Sequence, residues 1–189
     1  TYTAHFTEKD KVTITYAVAG NVGGSVSPTS ESLNPDTGEA QGSTATATAG
    51  YTFEGWYADE KCEGEALSTN VAYKPTKQEN ESWVDGTIYY AKFKENKNII
   101  ITYKVADDQT SMGSVSPESE SLAPATGIAK GSTATANSGY KFVNWTDDSG
   151  EVVSTDASFI PKKVEGANVA ATYTAHFTEK DKVTITYAV

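Results

Sequence analysis

Hydrophobic and polar positions alternate with a period of two along several stretches of this chain. Val12, Ile14, Tyr16 and Val18 fall on one side, with Thr13, Thr15 and Ala17 on the other. Ile99, Ile101, Tyr103 and Val105 repeat the pattern. Such alternation predicts half-buried β-strands. A further strand turns Tyr89, Ala91 and Phe93 inward, matched by Tyr173, Ala175 and Phe177. The stretch from Thr44 to Thr48 alternates threonine with alanine, and threonine suits an exposed pleat. Its inward alanines are small and leave room for a large neighbour, expected to be Trp56, or Trp145 in the second such stretch. Tyr51 and Phe53 share a face, but Trp56 follows Phe53 by three residues, which strict alternation sends to the wrong side. A β-bulge near Gly55, and near Asn144 in the second stretch, would bring each tryptophan inward. Tyr140 and Phe142 stand where Tyr51 and Phe53 do, and with Tyr16, Tyr103, Phe93 and Phe177 complete the expected core. Burying one tryptophan removes ~150–250 Å² from water, worth roughly 4–6 kcal/mol as an upper bound.

Glycine, proline and asparagine punctuate these stretches at Gly23-Gly24, Ser27-Pro28, Asn34-Pro35-Asp36-Thr37-Gly38, Gly50 and Gly86. A helical stripe is absent, the best candidate for a short helix being Pro75 to Trp83.

The strands recur because the sequence recurs. Residues 1–18, TYTAHFTEKDKVTITYAV, are identical to residues 172–189, an offset of 171. Within that period lies a weaker one. VTITYAV at 12–18 matches IIITYKV at 99–105, and GSVSPTSESLNPDTGEAQGSTATA at 24–47 matches GSVSPESESLAPATGIAKGSTATA at 113–136. GYTFEGW at 50–56 matches GYKFVNW at 139–145, and YYAKF at 89–93 matches YTAHF at 173–177. The expected organisation is therefore two tandem units, 12–97 and 98–182. Residues 1–11 would be the last strand of a preceding unit and residues 183–189 the first strand of a following one. The connections Lys94–Asn98 and Thr178–Lys182 are short and charged, too short for a flexible tether, so the units would be strung as beads with restricted rocking.

Composition narrows the function. The 189 residues carry 15 basic and 25 acidic side chains, a net charge of −10, and every basic one is lysine. A nucleic-acid groove, which favours net positive charge and forked arginine contacts, is not expected. Cys62 is the sole cysteine, so no internal disulfide forms. No apolar run approaches ~18 residues, so no membrane insertion is expected of this segment.

The pattern GSVSP, GST-A-A, GYKFVNWTDDSGEVVSTDASF and YTAHF over 113–177 resembles the divergent internalin-type B-repeat, related to the Listeria–Bacteroides repeat. The second unit carries the signature from Ile99 to Phe177; the first carries it with an insert, Asp59 to Gly64, after the tryptophan. The stretch SPTSESLNPDTGEA is longer than the family pattern leads one to expect, room for an extra hairpin. The resemblance implies mainly β, β-grasp-like units in large bacterial surface proteins, mostly Gram-positive and cell-wall anchored, used as stalks or adhesion regions. It brings no catalytic residues. Small all-β sandwich units are the alternative fold.

Candidate sites are few. His5 and His176 share a repeat position that is Lys92 in unit one, which suggests exposure rather than metal or acid–base work. Cys62 lies among Asp59, Glu60, Glu63 and Glu65, which would raise its thiol pKa. Asp147-Asp148-Ser149-Gly150-Glu151 has the hard oxygens and turn glycine of a calcium loop without the full spacing of one, and a solvated hairpin turn is the plainer reading. Otherwise no cofactor is expected. Asn80-Glu81-Ser82 and Asn144-Trp145-Thr146 match glycosylation sequons, the second across the expected core tryptophan. A covalent lysine–asparagine or lysine–aspartate crosslink is a further possibility for a surface protein, visible as loss of ammonia or water in the intact mass. Tyr57, Tyr73 and Tyr90 lie outside the strongest core pattern and are the binding candidates, since aromatics on a rigid sheet stack on sugars or grip proteins.

The leading expectation is a non-catalytic stalk that projects a distal domain from a bacterial surface, with neighbouring repeats as its partners. The alternative is an adhesin module that holds a host glycan or protein and gains avidity from repetition. An enzyme is not expected, since no triad, metal cluster or phosphate loop is present. If the first and last strands of each unit are adjacent and parallel, as in β-grasp folds, they would load in shear under tension.

Overall fold

The computed structural model describes residues 1–78 and 81–186. Thr1–Asn96 and Lys97–Val189 form two compact units. In unit one, β1 (Val12–Val18), β2 (Gly24–Ser27), β3 (Ser30–Leu33), β4 (Ser43–Ala47), β5 (Tyr51–Tyr57), β6 (Ala72–Tyr73) and β7 (Ile88–Glu95) follow in order. In unit two come β8 (Ile99–Val105), β9 (Gly113–Ser116), β10 (Ser119–Leu122), β11 (Ser132–Ala136), β12 (Tyr140–Thr146), β13 (Val152–Ser154), β14 (Ser158–Phe159) and β15 (Ala171–Glu179). The fold is mainly β. Among the described residues no α-helix is present, only a 3-10 turn at Ala19–Asn21.

Each unit has two small sheets. Unit one has the orders β3-β1-β7-β5 and β2-β4-β6; unit two has β10-β8-β15-β12-β13 and β14-β11-β9. The first and last strands lie side by side and parallel, the pairing expected of a β-grasp-like unit: Thr15 opposes Ile88 and Val18 opposes Ala91. In unit two Ala171 opposes Ile101 and Ala175 opposes Val105. Residues 1–11 carry no strand and are exposed, as are 183–186; the rest of the 183–189 segment lies outside the described residues.

The core follows the alternation. Ile14, Tyr16, Ala45, Trp56, Ala91 and Phe93 are buried in unit one, with Tyr51, Phe53 and Tyr73 packed against them. Ile101, Tyr103, Ala134, Trp145, Ala175 and Phe177 are buried in unit two, with Phe142 packed against them. Tyr140 is half-buried at the start of β12. The bulges are where the tryptophan spacing needs them. On β5 the register passes from Phe53 opposite Phe93 to Gly55 opposite Lys92, which turns Trp56 inward opposite Ala91. On β12 it passes from Phe142 opposite Phe177 to Asn144 opposite His176, which does the same for Trp145. Both tryptophans are completely inaccessible to solvent.

Phe93 and Phe177 explain the glycines that open β2 and β9. A methyl group on Gly113 would stand 2.5 Å from the Phe177 ring, and one on Gly24 would overlap Phe93 likewise. No side chain fits where the two sheets come this close.

The helix expected at Pro75–Trp83 does not form: its described residues have no regular structure. With no apolar stripe, its polar groups serve the neighbouring loop instead. Lys77 Nζ donates to the carbonyl of Asp36, Ser82 Oγ to Asp36 Oδ1, and Trp83 Nε1 to the carbonyl of Gly38 at 2.8 Å.

Candidate functional site

Two features of these units have chemistry worth weighing: a carboxylate network inside each unit and an aromatic patch outside unit one. The network starts at Tyr16, buried on β1, whose hydroxyl needs an acceptor. It donates to Glu31 Oε1 on the neighbouring β3. The Glu31 carboxylate also accepts the backbone N–H of Gln41 at 2.6 Å and of Gly42 at 2.9 Å. Unit two repeats this with Tyr103 donating to Glu120, which accepts from the amides of Lys130 at 2.9 Å and Gly131 at 3.2 Å. Ser43 Oγ donates to the carbonyl of Pro28, and Ser132 Oγ to that of Pro117, both at 2.7 Å. Trp56 Nε1 donates to the carbonyl of Val71 and Trp145 Nε1 to that of Ala157, both at 3.1 Å. These bonds fasten the first sheet of each unit to the second.

The electrostatics are those of a fastening, not of a catalyst. Burial, then the hydrogen bond to Glu31 and its charge, push the Tyr16 phenol well above its usual range; Tyr103 is raised in the same way by burial and Glu120. Burial raises the Glu31 carboxyl, but the hydrogen bonds from Tyr16, Gln41 and Gly42 together outweigh it and hold the group below its ordinary value. A carboxylate saturated with donors is poorly placed to take a proton from a substrate.

The outer face of unit one is different. Tyr57 on β5 lies directly opposite Tyr90 on β7, and Gly55 opposite Lys92. Direct cross-strand partners share a face. Lys92 Nζ sits 5.5 Å from the Tyr57 ring centroid and 3.3 Å from Glu54, which also lies 3.6 Å from Lys94 Nζ. Both tyrosines are half-buried. Unit two has Thr146 opposite Thr174 and Asn144 opposite His176 on the matching strands, so the aromatic pair belongs to unit one alone. Tyr73, the third tyrosine read as a binding candidate, points the other way. Its ring stacks on Trp56 at 5.7 Å, meets Tyr89 edge-on at 5.4 Å, and burial pushes its phenol up to about 12.

The other sequence candidates are dispersed. His5 is exposed, while His176 Nε2 bonds Thr146 Oγ1 at 3.0 Å. Cys62 is buried, and burial, more than Asp59 and Glu54 and despite Lys92, raises its thiol. The Asp147 loop is a tight turn that uses its own acid: Asp147 Oδ1 accepts from Ser149 N, Ser149 Oγ and Glu151 N at 2.9, 2.6 and 3.0 Å. Those bonds, the Ser149 hydroxyl foremost, hold Asp147 low. Asp148 Oδ2 accepts from the Thr172 amide at 3.0 Å. Among the described residues, no three His, Cys, Asp or Glu side chains are placed to hold a metal ion, and no helix is long and apolar enough to cross a membrane. Asn80 lies outside the described residues, whereas Asn144 Oδ1 is buried without a hydrogen-bond partner. A cavity of about 670 Å³ opens beside β8 and β9, lined by Ile100, Lys104, Val105, Asp107, Val115 and Glu118 among others, with no histidine or cysteine.

Reading the strands alone missed Glu31 and Glu120. The signal was there: the stretch SESL recurs unchanged at 30–33 and 119–122, with a charged residue amid short strands.

The model of the divergent InlB B-repeat domain matches residues 13–97 and again 103–181. No curated protein and no solved structure matches the chain. The chain belongs to the divergent InlB B-repeat family, of which it carries two tandem copies.

Proposed function

We propose that this chain is a non-catalytic spacer in a large bacterial cell-surface protein, its repeats setting the distance between an anchor and a distal domain. Repeats of this family are typical of bacterial surface proteins and are generally structural rather than catalytic. The observation that carries the reading is the parallel pairing of first and last strands. The chain enters each unit at one end and leaves at the other. Val12 lies three positions before Thr15, and Glu95 seven positions beyond Ile88, so the ends of unit one stand ten residues apart along the sheet. At ~3.3 Å per residue that is ~33 Å of reach. Ile99 and Glu179 stand ten residues apart by the same reasoning in unit two. We assign the repeat boundaries to 12–97 and 98–182, and the setting to the outer face of a Gram-positive cell wall. The acidic surface, −10 overall, would keep neighbouring copies soluble and apart. The test is deletion of one 171-residue period from the cell-surface protein that carries it. The spacer reading expects a shorter projection with ligand binding by the distal domain intact; unchanged projection height overturns it.

The second reading, an adhesin module, draws on the Tyr57–Tyr90 pair beside Lys92. An aromatic pair beside a cation on a rigid sheet suits stacking on a host glycan or gripping an acidic protein surface. Screening the folded chain, alone and multimerised, against glycans, mucins and matrix proteins tests it. A saturable signal that grows with valency and disappears in the Tyr57→Ala, Tyr90→Ala double variant supports adhesion; silence in both forms rejects it.

A further inference from the structure

The loop Asn34–Gly38 is braced on one side and open to a ligand on the other. The Gly38 amide closes it onto the Asn34 carbonyl at 3.0 Å, and the Trp83 amide holds the Pro35 carbonyl at 2.8 Å. Lys77, Ser82 and the Trp83 indole take the carbonyl of Asp36, its carboxylate and the carbonyl of Gly38. With its acceptors fixed from behind, the loop turns two amides and a hydroxyl outward. All three donate to one carboxylate. Asp36 N and Thr37 N reach Glu8 Oε1 at 2.9 Å each, and Thr37 Oγ1 reaches Glu8 Oε2 at 2.9 Å. Successive backbone N–H groups held in a turn make an anion-binding concavity. Glu8 belongs to the charged segment that leads into β1, which has no strand of its own.

We propose that this loop is a carboxylate-binding site whose ligand is the glutamate of the linker entering the unit, so that the linker is a docked strap rather than a loose tether. The chemistry favours a carboxylate: the donors are paired amides and a hydroxyl, with the Lys77 ammonium behind them. Glu8 is held below its ordinary value chiefly by the Thr37 amide, against burial, with help from Asp36, the Thr37 hydroxyl and Lys77. Unit two builds the same loop on the same plan. The Gly127 amide donates to the Ala123 carbonyl at 3.0 Å, Lys163 Nζ to the carbonyl of Ala125, and Asn168 Nδ2 to that of Gly127 at 2.9 Å, where unit one uses Trp83. The linker that enters unit two, Lys94–Asn98, carries Glu95 at the position of Glu8, and the segment that follows unit two carries Glu179 there. The inference goes beyond the spacer reading and does not need it: a docked strap would restrict the linker in an adhesin equally well.

The test uses the whole 189-residue chain and the Glu8→Gln, Glu8→Ala and Thr37→Val variants, followed by amide NMR. The proposal expects the amide resonances of Asp36 and Thr37 to move upfield in Glu8→Ala, and the backbone of residues 3–11 to become mobile on the nanosecond timescale. Glu8→Gln and Thr37→Val should release the linker in part. Acetate added to Glu8→Ala should shift the Asp36 and Thr37 amides back, saturably, with chloride at equal ionic strength leaving them unmoved. The indole resonances of Trp56 and Trp83 serve as the folding control. Amides and linker mobility unchanged in Glu8→Ala, with those indoles at their native positions, overturn the proposal, as does an acetate effect that chloride reproduces.

Discussion

Replacing Trp145 with alanine should bring unit two close to unfolding while unit one stands. Trp145 has no exposed surface. Its ring meets Tyr103, Phe142 and Phe159 at centroid distances of 6.0, 6.1 and 6.0 Å. Truncating a buried tryptophan to alanine costs ~3–5 kcal/mol, most where the site cannot collapse. A four-ring cluster wedged between two sheets is such a site, so the upper half of that range applies. The lost Nε1 bond adds little, because the Ala157 carbonyl keeps the Ala134 amide at 2.9 Å. A unit of this size is stable by ~4–12 kcal/mol in total. Urea unfolding checks the outcome with two probes. In the Trp145→Ala chain, tryptophan fluorescence comes from Trp56 and Trp83, both in unit one, while circular dichroism reports both units. The fluorescence transition should hold its wild-type midpoint as part of the dichroism change moves to much lower urea. A loss below ~1 kcal/mol, or a fluorescence midpoint that falls with the dichroism, would refute the view that each unit has its own core built on its tryptophan.

Gly113→Ala should destabilise unit two by ~1–3 kcal/mol through overpacking, since the new methyl meets the Phe177 ring at 2.5 Å and the backbone oxygen of Thr135 at 2.7 Å; urea midpoints measure it. Because the Glu31 carboxyl is held below its ordinary value in the folded state, its contribution is complete above about 4.5 and is lost as pH falls from there through the folded value. Unit one should therefore lose stability below that pH more steeply in the wild type than in Glu31→Gln; equal slopes would contradict the network. The buried Cys62 thiol, raised by burial, should resist a neutral-pH thiol reagent in the folded chain and react when unit one opens, with labelling rates rising in parallel with urea.

The strands that carry the parallel pair were legible because alternation, the tryptophan offset and the internal repeat all point to the same residues. Three aspects were not. Strands β6 and β14 are two residues long and offer no period to read. The partners of Glu31, Lys77 and Trp83 lie 10 to 45 residues away, a distance that local pattern cannot bridge. The directions of Tyr57 and Tyr90 depended on the bulge: once Trp56 turns inward, Tyr57 must turn outward, and Tyr90 opposite follows it. Tyr73 lies on a strand paired by only two residues, with nothing in its neighbourhood to show that its ring would close over Trp56.

The central claim is that tension runs along the parallel pair of each unit, from β1 to β7 and from β8 to β15. Single-molecule pulling of the chain between its ends tests this most directly. Residues 12–95 released as extended chain at ~3.6 Å per residue would give ~30 nm, less the ~3 nm already spanned by the folded unit. The account predicts two separate force peaks, each followed by a contour gain of ~26–27 nm. One of them should weaken in a Thr15→Pro variant, which removes the amide that bonds the Thr87 carbonyl at 2.8 Å. Extension that rises smoothly without peaks, or peaks indifferent to Thr15→Pro, would contradict it.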